Sequence, residues 1–251
     1  MARKSNWNDD YWLYVMQLYM RRPTGVKPLY AKAAVDLSLE LHIHPKEILA
    51  RQMDIETLST PRIERIWDEY GDNPRKLSRA VRLLRSMKGF GSADEFYEGV
   101  ETIESFERDF RPVNDSGLQP IALVLILDLY FRLTPLTMVS ETPEVIHLAR
   151  LIDQPASTVV HVLTIYLHLD PFISRQSVSS DDPLLPHCKK VWNTYGNLKP
   201  EQLCQLAEEI MVYYMRYNQR GQSALFCSQL IVVLFAHKKR KQLRDYLTAF
   251  F

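Results

Sequence analysis

Four arginines spaced for one side of a helix are the most distinctive chemical feature of the chain. Arg75, Arg79, Arg82 and Arg85 recur at helical intervals, while Leu77, Ala80, Val81 and Leu84 fill the other side. Lys76 and Lys88 add charge, and no Asp or Glu stands between Asn73 and Ala93. A one-sided basic helix attracts phosphates by Coulomb forces and gains from counterion release. The same pattern also describes a solvated face balanced by nearby acids such as Glu64, Asp68 and Glu69. Lys46, Arg51 and Gln52 carry groups suited to base edges, on a helix that opens near Pro45. A further basic run, His237 to Arg244, either widens the patch or ends a helix favourably.

Other reactive residue types do not assemble into a recognisable set. His42-Ile43-His44 and His187-Cys188 are donor pairs, but no second pair has zinc-site spacing. Asp181-Asp182 precedes Pro183 and reads as a helix cap rather than a carboxylate dyad. Gly89-Phe90-Gly91 lacks the Lys-Ser/Thr of a phosphate loop, and no hydrolase, zinc-protease or kinase signature occurs. Trp67 and Trp192, with Tyr70 and Tyr195, could stack on bases, yet their helical spacing before a glycine suits a core. The expectation is a non-catalytic protein with no metal and no cofactor. The alternative is a small helical enzyme whose catalytic group is assembled from distant residues.

The elements that position these groups repeat. Leu18-Tyr19 and Leu129-Tyr130 each end an apolar helical segment. Second helices follow through Val35 and Leu41, and through Val145 and Leu151; Pro45 and Pro155 then suit the first turn of a third. Ile66-Trp67-Asp68-Glu69-Tyr70-Gly71 matches Val191-Trp192-Asn193-Thr194-Tyr195-Gly196, and Pro74 or Pro200 opens the next helix. Four landmarks in one order predict an all-α chain of two tandem, diverged copies of a multi-helix unit. The first copy spans 1–111 and the second 118–251, with residues 112–117 as linker and an insertion at 170–184. Asn8 with Asp9 and Asp10, and Thr142 before Pro143, are expected caps, and Gly71 and Gly196 are expected left-handed helix ends. Segments 94–110 and 223–250 add closing helices.

The second copy carries a resemblance. Leu125 to Tyr130, Pro143 to Ile152, Pro155-Ala156-Ser157-Thr158-Val159 and Leu169-Asp170-Pro171 form a series. It is similar to the helical module at the N-terminus of McrA-like HNH restriction endonucleases, itself similar to Myb/SANT helix-turn-helix domains. The resemblance extends more faintly over Trp12 to Met53. It implies a helix-turn-helix-like element whose third helix approaches the major groove. Asp153-Gln154 stand where the module has Arg-Thr, and His161 falls near its third-helix basic residue. Residues 158–169 are nearly all apolar, so the first copy, with Lys46, Arg51 and Gln52, is the better DNA reader. The module's nuclease domain has no counterpart in the sequence.

Composition agrees with a packed helical protein. Hydrophobic residues are 46% and charged residues 24% of 251, and only 8 glycines occur, too few for a turn-rich β fold. The net charge of +1 leaves only local clusters to inform on nucleic acid. Cys188, Cys204 and Cys227 have no framework spacing and read as free thiols, which with the absence of an apolar leader predicts a cytoplasmic chain. The apolar run at 225–235 is too short for a membrane span and is expected to be buried. Double-stranded DNA is the expected partner, together with a protein partner or a second copy of the chain bound through the second half. A helical protein-interaction scaffold without nucleic acid is the alternative.

Overall fold

The computed structural model describes residues 7–87, 106–113, 117–173 and 178–215, and among these residues it contains ten α-helices and no strand. The first half holds α1 (Tyr11–Met20), α2 (Lys32–Leu41), α3 (Pro45–Glu56), α4 (Pro61–Tyr70) and α5 (Pro74–Ser86). The second holds α6 (Pro120–Arg132), α7 (Pro143–Leu151), α8 (Ala156–Leu169), α9 (Leu185–Tyr195) and α10 (Pro200–Tyr214).

Each half is organised around a helix that is apolar on most sides. α1 buries Trp12, Tyr14, Val15, Met16 and Leu18, and α6 buries every residue from Ile121 to Tyr130. Such helices must be surrounded. α1 packs on α2, α3 and α5, and α6 packs on α7, α8, α9 and α10. α2 also packs on α3, and α7 on α8.

Local chemistry sets the helix ends. Proline occupies the first turn of α3, α4, α5, α6 and α7, where its missing N–H costs nothing. Thr60 and Asn73 accept the N–H groups of Ile63 (3.3 Å) and Lys76 (2.9 Å). Asn8 accepts from Asp10 N–H ahead of α1, while Thr142 turns its hydroxyl to the Thr137 carbonyl instead of capping α7. Gly71 and Gly196 correct the expected left-handed ends, because their φ values are −59° and −63°. Close approach is what favours glycine there: a Cβ would lie 2.7 Å from the Trp67 carbonyl oxygen, or 2.6 Å from that of Trp192. The left-handed non-glycine residues are His42 (φ 54°) after α2, Leu58 (φ 47°) after α3 and Asp153 (φ 57°) after α7.

The stretch before α6 is packed. Glu107–Asp109 form a 3-10 turn between the buried Phe106 and Phe110. The Phe110 ring meets Tyr30 (6.4 Å between centroids) and Tyr213 (5.2 Å). Buried Glu107 pairs with His42 of the first half at 2.8 Å. Gln119 donates to the Phe110 carbonyl and accepts from the Tyr214 hydroxyl. α10 packs on α2 as well as on α6, and the described residues up to Tyr214 belong to one compact unit. No described helix is long and apolar enough to cross a membrane. The apolar segment 225–235, the basic run 237–244 and residues 94–105 lie outside the described residues.

Candidate nucleic-acid interface

α5 turns Leu77 and Val81, each 1% exposed, into the core, and this fixes which side faces solvent. Arg75, Arg79 and Arg82 project from the solvent side and are exposed. Among the described residues no acid forms an ion pair with these three. The two remaining cations of α5 are committed elsewhere. Lys76 pairs with Glu69 at 2.9 Å and lies 4.9 Å from the Tyr70 ring centre. Arg85 makes a two-point contact with Glu40 (2.6 and 2.8 Å) and covers the Tyr14 ring at 5.3 Å. Its pKa rises chiefly through the hydrogen bond to Glu40, and burial followed by Glu40 pushes Tyr14 up to about 12. Among the described residues the four-arginine stripe is therefore three cations without an ion pair plus one structural fork. Its acid is Glu40 of α2, which the spacing around Arg85 does not reveal.

α3 is less available than its sequence suggests. Lys46 is exposed near the helix start, behind the His44 Nδ1 that accepts its backbone N–H. Arg51 is held by Glu47 (3.5 Å) and Asp54 (3.4 Å), with its guanidinium over Trp7 (4.7 Å) and Trp12 (5.5 Å). Gln52 overturns its expected role at a base edge, because it is 0% exposed. Its Oε1 accepts the Lys27 backbone N–H at 2.8 Å, and its Nε2 points to the Ile48 carbonyl. An amide consumed inside the fold has no donor and acceptor left to present. On α8, His161 pairs with Asp182 at 2.8 Å, so the 170–184 insertion holds the basic residue at that position.

The aromatic landmarks are packed in ring clusters. Trp67 meets Tyr19 edge-on at 6.0 Å, and Trp192 meets Tyr130 edge-on at 5.7 Å. Phe131 and Tyr166 lie 5.8 and 6.0 Å from Trp192. Other reactive groups sit in structural roles. Cys188 is 0% exposed, and burial pushes its thiol up to about 12, far from a nucleophilic thiolate at neutral pH. Asp182 also accepts the Leu184 N–H at 2.8 Å. Among the described residues no three His, Cys, Asp or Glu side chains converge on a metal-sized site. A cleft of about 180 Å³ between α1, α2 and α5 is lined by Tyr14, Gln17, Asp36, Glu40 and Arg85. It is small beside the roughly 300–1,000 Å³ of ordinary ligand sites.

No family model matches the chain, and neither a curated protein nor a solved structure matches it.

Proposed function

We propose that the protein is a non-catalytic DNA-binding protein of two tandem, diverged helix-turn-helix-like copies, with the contact made by α5. One observation carries this: Arg75, Arg79 and Arg82 stand exposed on one side of a helix, with no acid paired to them among the described residues. Free guanidinium groups on a fixed helix are pre-arranged for phosphate oxygens. The second half packs or recruits rather than binds, since its closing helix α10 carries Glu201, Glu208 and Glu209.

Several correspondences support the tandem copies. Tyr19–Trp67 and Tyr130–Trp192 are both edge-on ring pairs between the central helix and the fourth helix of a half. The central helix packs on the second, third and fifth helices in both halves. The turns between second and third helices support the helix-turn-helix-like element. Each turn has a left-handed residue, His42 or Asp153, and the next N–H reaches back five residues, Ile43 to Ser38 and Gln154 to Ala149. Cytoplasmic location goes with this reading, and buried Cys188 is a free thiol.

A protein-interaction scaffold is the second reading, favoured by Phe131, Leu136, Val139 and Phe172. These are 47%, 91%, 45% and 95% exposed, all in the second half. Fluorescence anisotropy with a labelled duplex separates the two readings. The parent is expected to bind at about 50 mM salt and to weaken steeply by about 200 mM. Arg79→Glu with Arg82→Glu is expected to abolish binding to every duplex. A parent that binds no duplex at the lower salt ends the DNA proposal and leaves the scaffold.

A further inference from the structure

α1 separates the two groups of polar residues that the sequence offers to DNA. On one side, Tyr14 lies against Arg85, and Gln17 reaches Ser78 of α5 at 3.5 Å. On the other, Trp12 lies against Arg51 of α3, and Tyr19 against Trp67 of α4. At 3.6 residues per turn, positions 14 and 17 lie opposite positions 12 and 19. α3 and α5 therefore flank α1 on different sides, two interaxial steps of about 8–10 Å apart. Two of the three α3 groups are also occupied: Gln52 is buried and bonded, and Arg51 is held between two rings and two acids, while Lys46 stays exposed.

The solvent side of α5 has its own composition. It presents Arg75, Ser78, Arg79, Arg82 and Ser86, with Leu83 and Met87 exposed at its edge (65% and 52%). It carries no Asn or Gln, the amides that pair with adenine, and no acid to accept from cytosine, which leaves arginines able to fork onto guanine as well as onto phosphate. The three arginines span about 10 Å of helix axis, a length over which a duplex presents about six backbone charges. Three cations in line, with no amide or acid beside them, match a run of phosphates better than a mixed base sequence.

Resting on the DNA-binding reading above, we infer that α5 engages the duplex through its backbone phosphates alone, about three at each bound site, and does not select base sequence. Arg85 and Lys76 add no contact, because Glu40 and Glu69 hold them.

The test uses the full chain and equal-length labelled duplexes, one of A·T pairs only, one rich in G·C and one mixed. All three are expected to bind equally. The logarithm of affinity against that of salt is expected to have a slope of about −2.7, a loss of about 40-fold between roughly 50 and 200 mM. Arg79→Gln is expected to make that slope shallower by about 0.9, with an unchanged melting curve because the side chain is exposed. Arg51→Ala is expected to leave the affinity ratios among the three duplexes unaltered. A preference of about tenfold or more for one duplex, the scale of a good base contact, overturns this inference and leaves DNA binding standing. A slope unmoved by Arg79→Gln overturns the α5 contact. Absence of binding to all three overturns both proposals.

Discussion

Lys27 illustrates how a single side chain can organise a loop. Its ammonium donates to the carbonyls of Arg21 (2.9 Å), Gly25 (3.0 Å) and Tyr19 (3.3 Å), and also to that of Pro23. Its own N–H meets Gln52, so the α1–α2 loop is tied to α3 through one residue. Lys27→Met leaves that carbonyl ring without a donor and is expected to cost about 1–3 kcal/mol. The urea midpoint measures it, and an unchanged midpoint would mean that the loop is held by something else. His44 is the N-cap of α3, where its neutral Nδ1 accepts from Lys46 N–H at 3.1 Å. Burial, then Lys46, lowers its pKa below the ordinary 6.5. The unfolded chain thus takes up this proton at higher pH than the folded one, so the contribution is present above pH 6.5 and is lost as pH falls below it. His44→Asn keeps a capping acceptor without the titration. It is expected to shrink the drop in melting temperature between neutral and mildly acid pH, with at most about 1 kcal/mol at stake.

At the scale of the element, α5 separates core from solvent residue by residue. Leu77→Ala removes a side chain that is 1% exposed and is expected to cost about 2–5 kcal/mol. Leu83→Ala, at 65% exposure six residues on, is expected to stay within about 0.5 kcal/mol of the parent. Asn73→Ala removes the acceptor for Lys76 N–H and is expected to cost about 1 kcal/mol by fraying the helix start. Thermal melts measure all three, and similar losses for Leu77→Ala and Leu83→Ala would mean that α5 is turned differently. The one-sided pattern of α5 is legible from its sequence because residues 75–86 alternate apolar and basic at helical period. What that pattern cannot carry is the pairing of Arg85, since its partner Glu40 lies 45 positions away.

For the whole molecule, the connector turn decides how the halves respond to stress. Phe110 is 6% exposed between Tyr30 and Tyr213, and Glu107 reaches His42. The described residues up to Tyr214 are accordingly expected to unfold in one transition. In a Trp192→Phe variant, fluorescence reports only the first half through Trp7, Trp12 and Trp67, while circular dichroism reports every helix. Coincident midpoints are expected, and separated ones would show the halves unfolding independently. Phe110→Ala is expected to lower the common midpoint, with a loss of about 3–5 kcal/mol for a buried phenylalanine.

The helical class was readable in the order of residues because helix periodicity and proline starts act over a few positions. The landmarks Tyr19, Trp67, Tyr130 and Trp192 were readable for the same reason. Gly71 and Gly196 are legible as helix ends but not in their conformation, since a carbonyl one turn back, not a left-handed φ, is what excludes a side chain. The basic side of α5 was also visible along the chain. Which of its cations are paired was legible only for Lys76, whose acid Glu69 is near in sequence, because the acid of Arg85 comes from α2 by packing around α1. Gln52 is the sharpest case. Its sequence neighbours permit an exposed amide, but the helical register that buries Ile48 and Ile55 also buries Gln52, and Lys27 from a distant loop takes its carbonyl oxygen. Hydrophobic period is local, whereas the satisfaction of polar groups is settled only when separate elements meet.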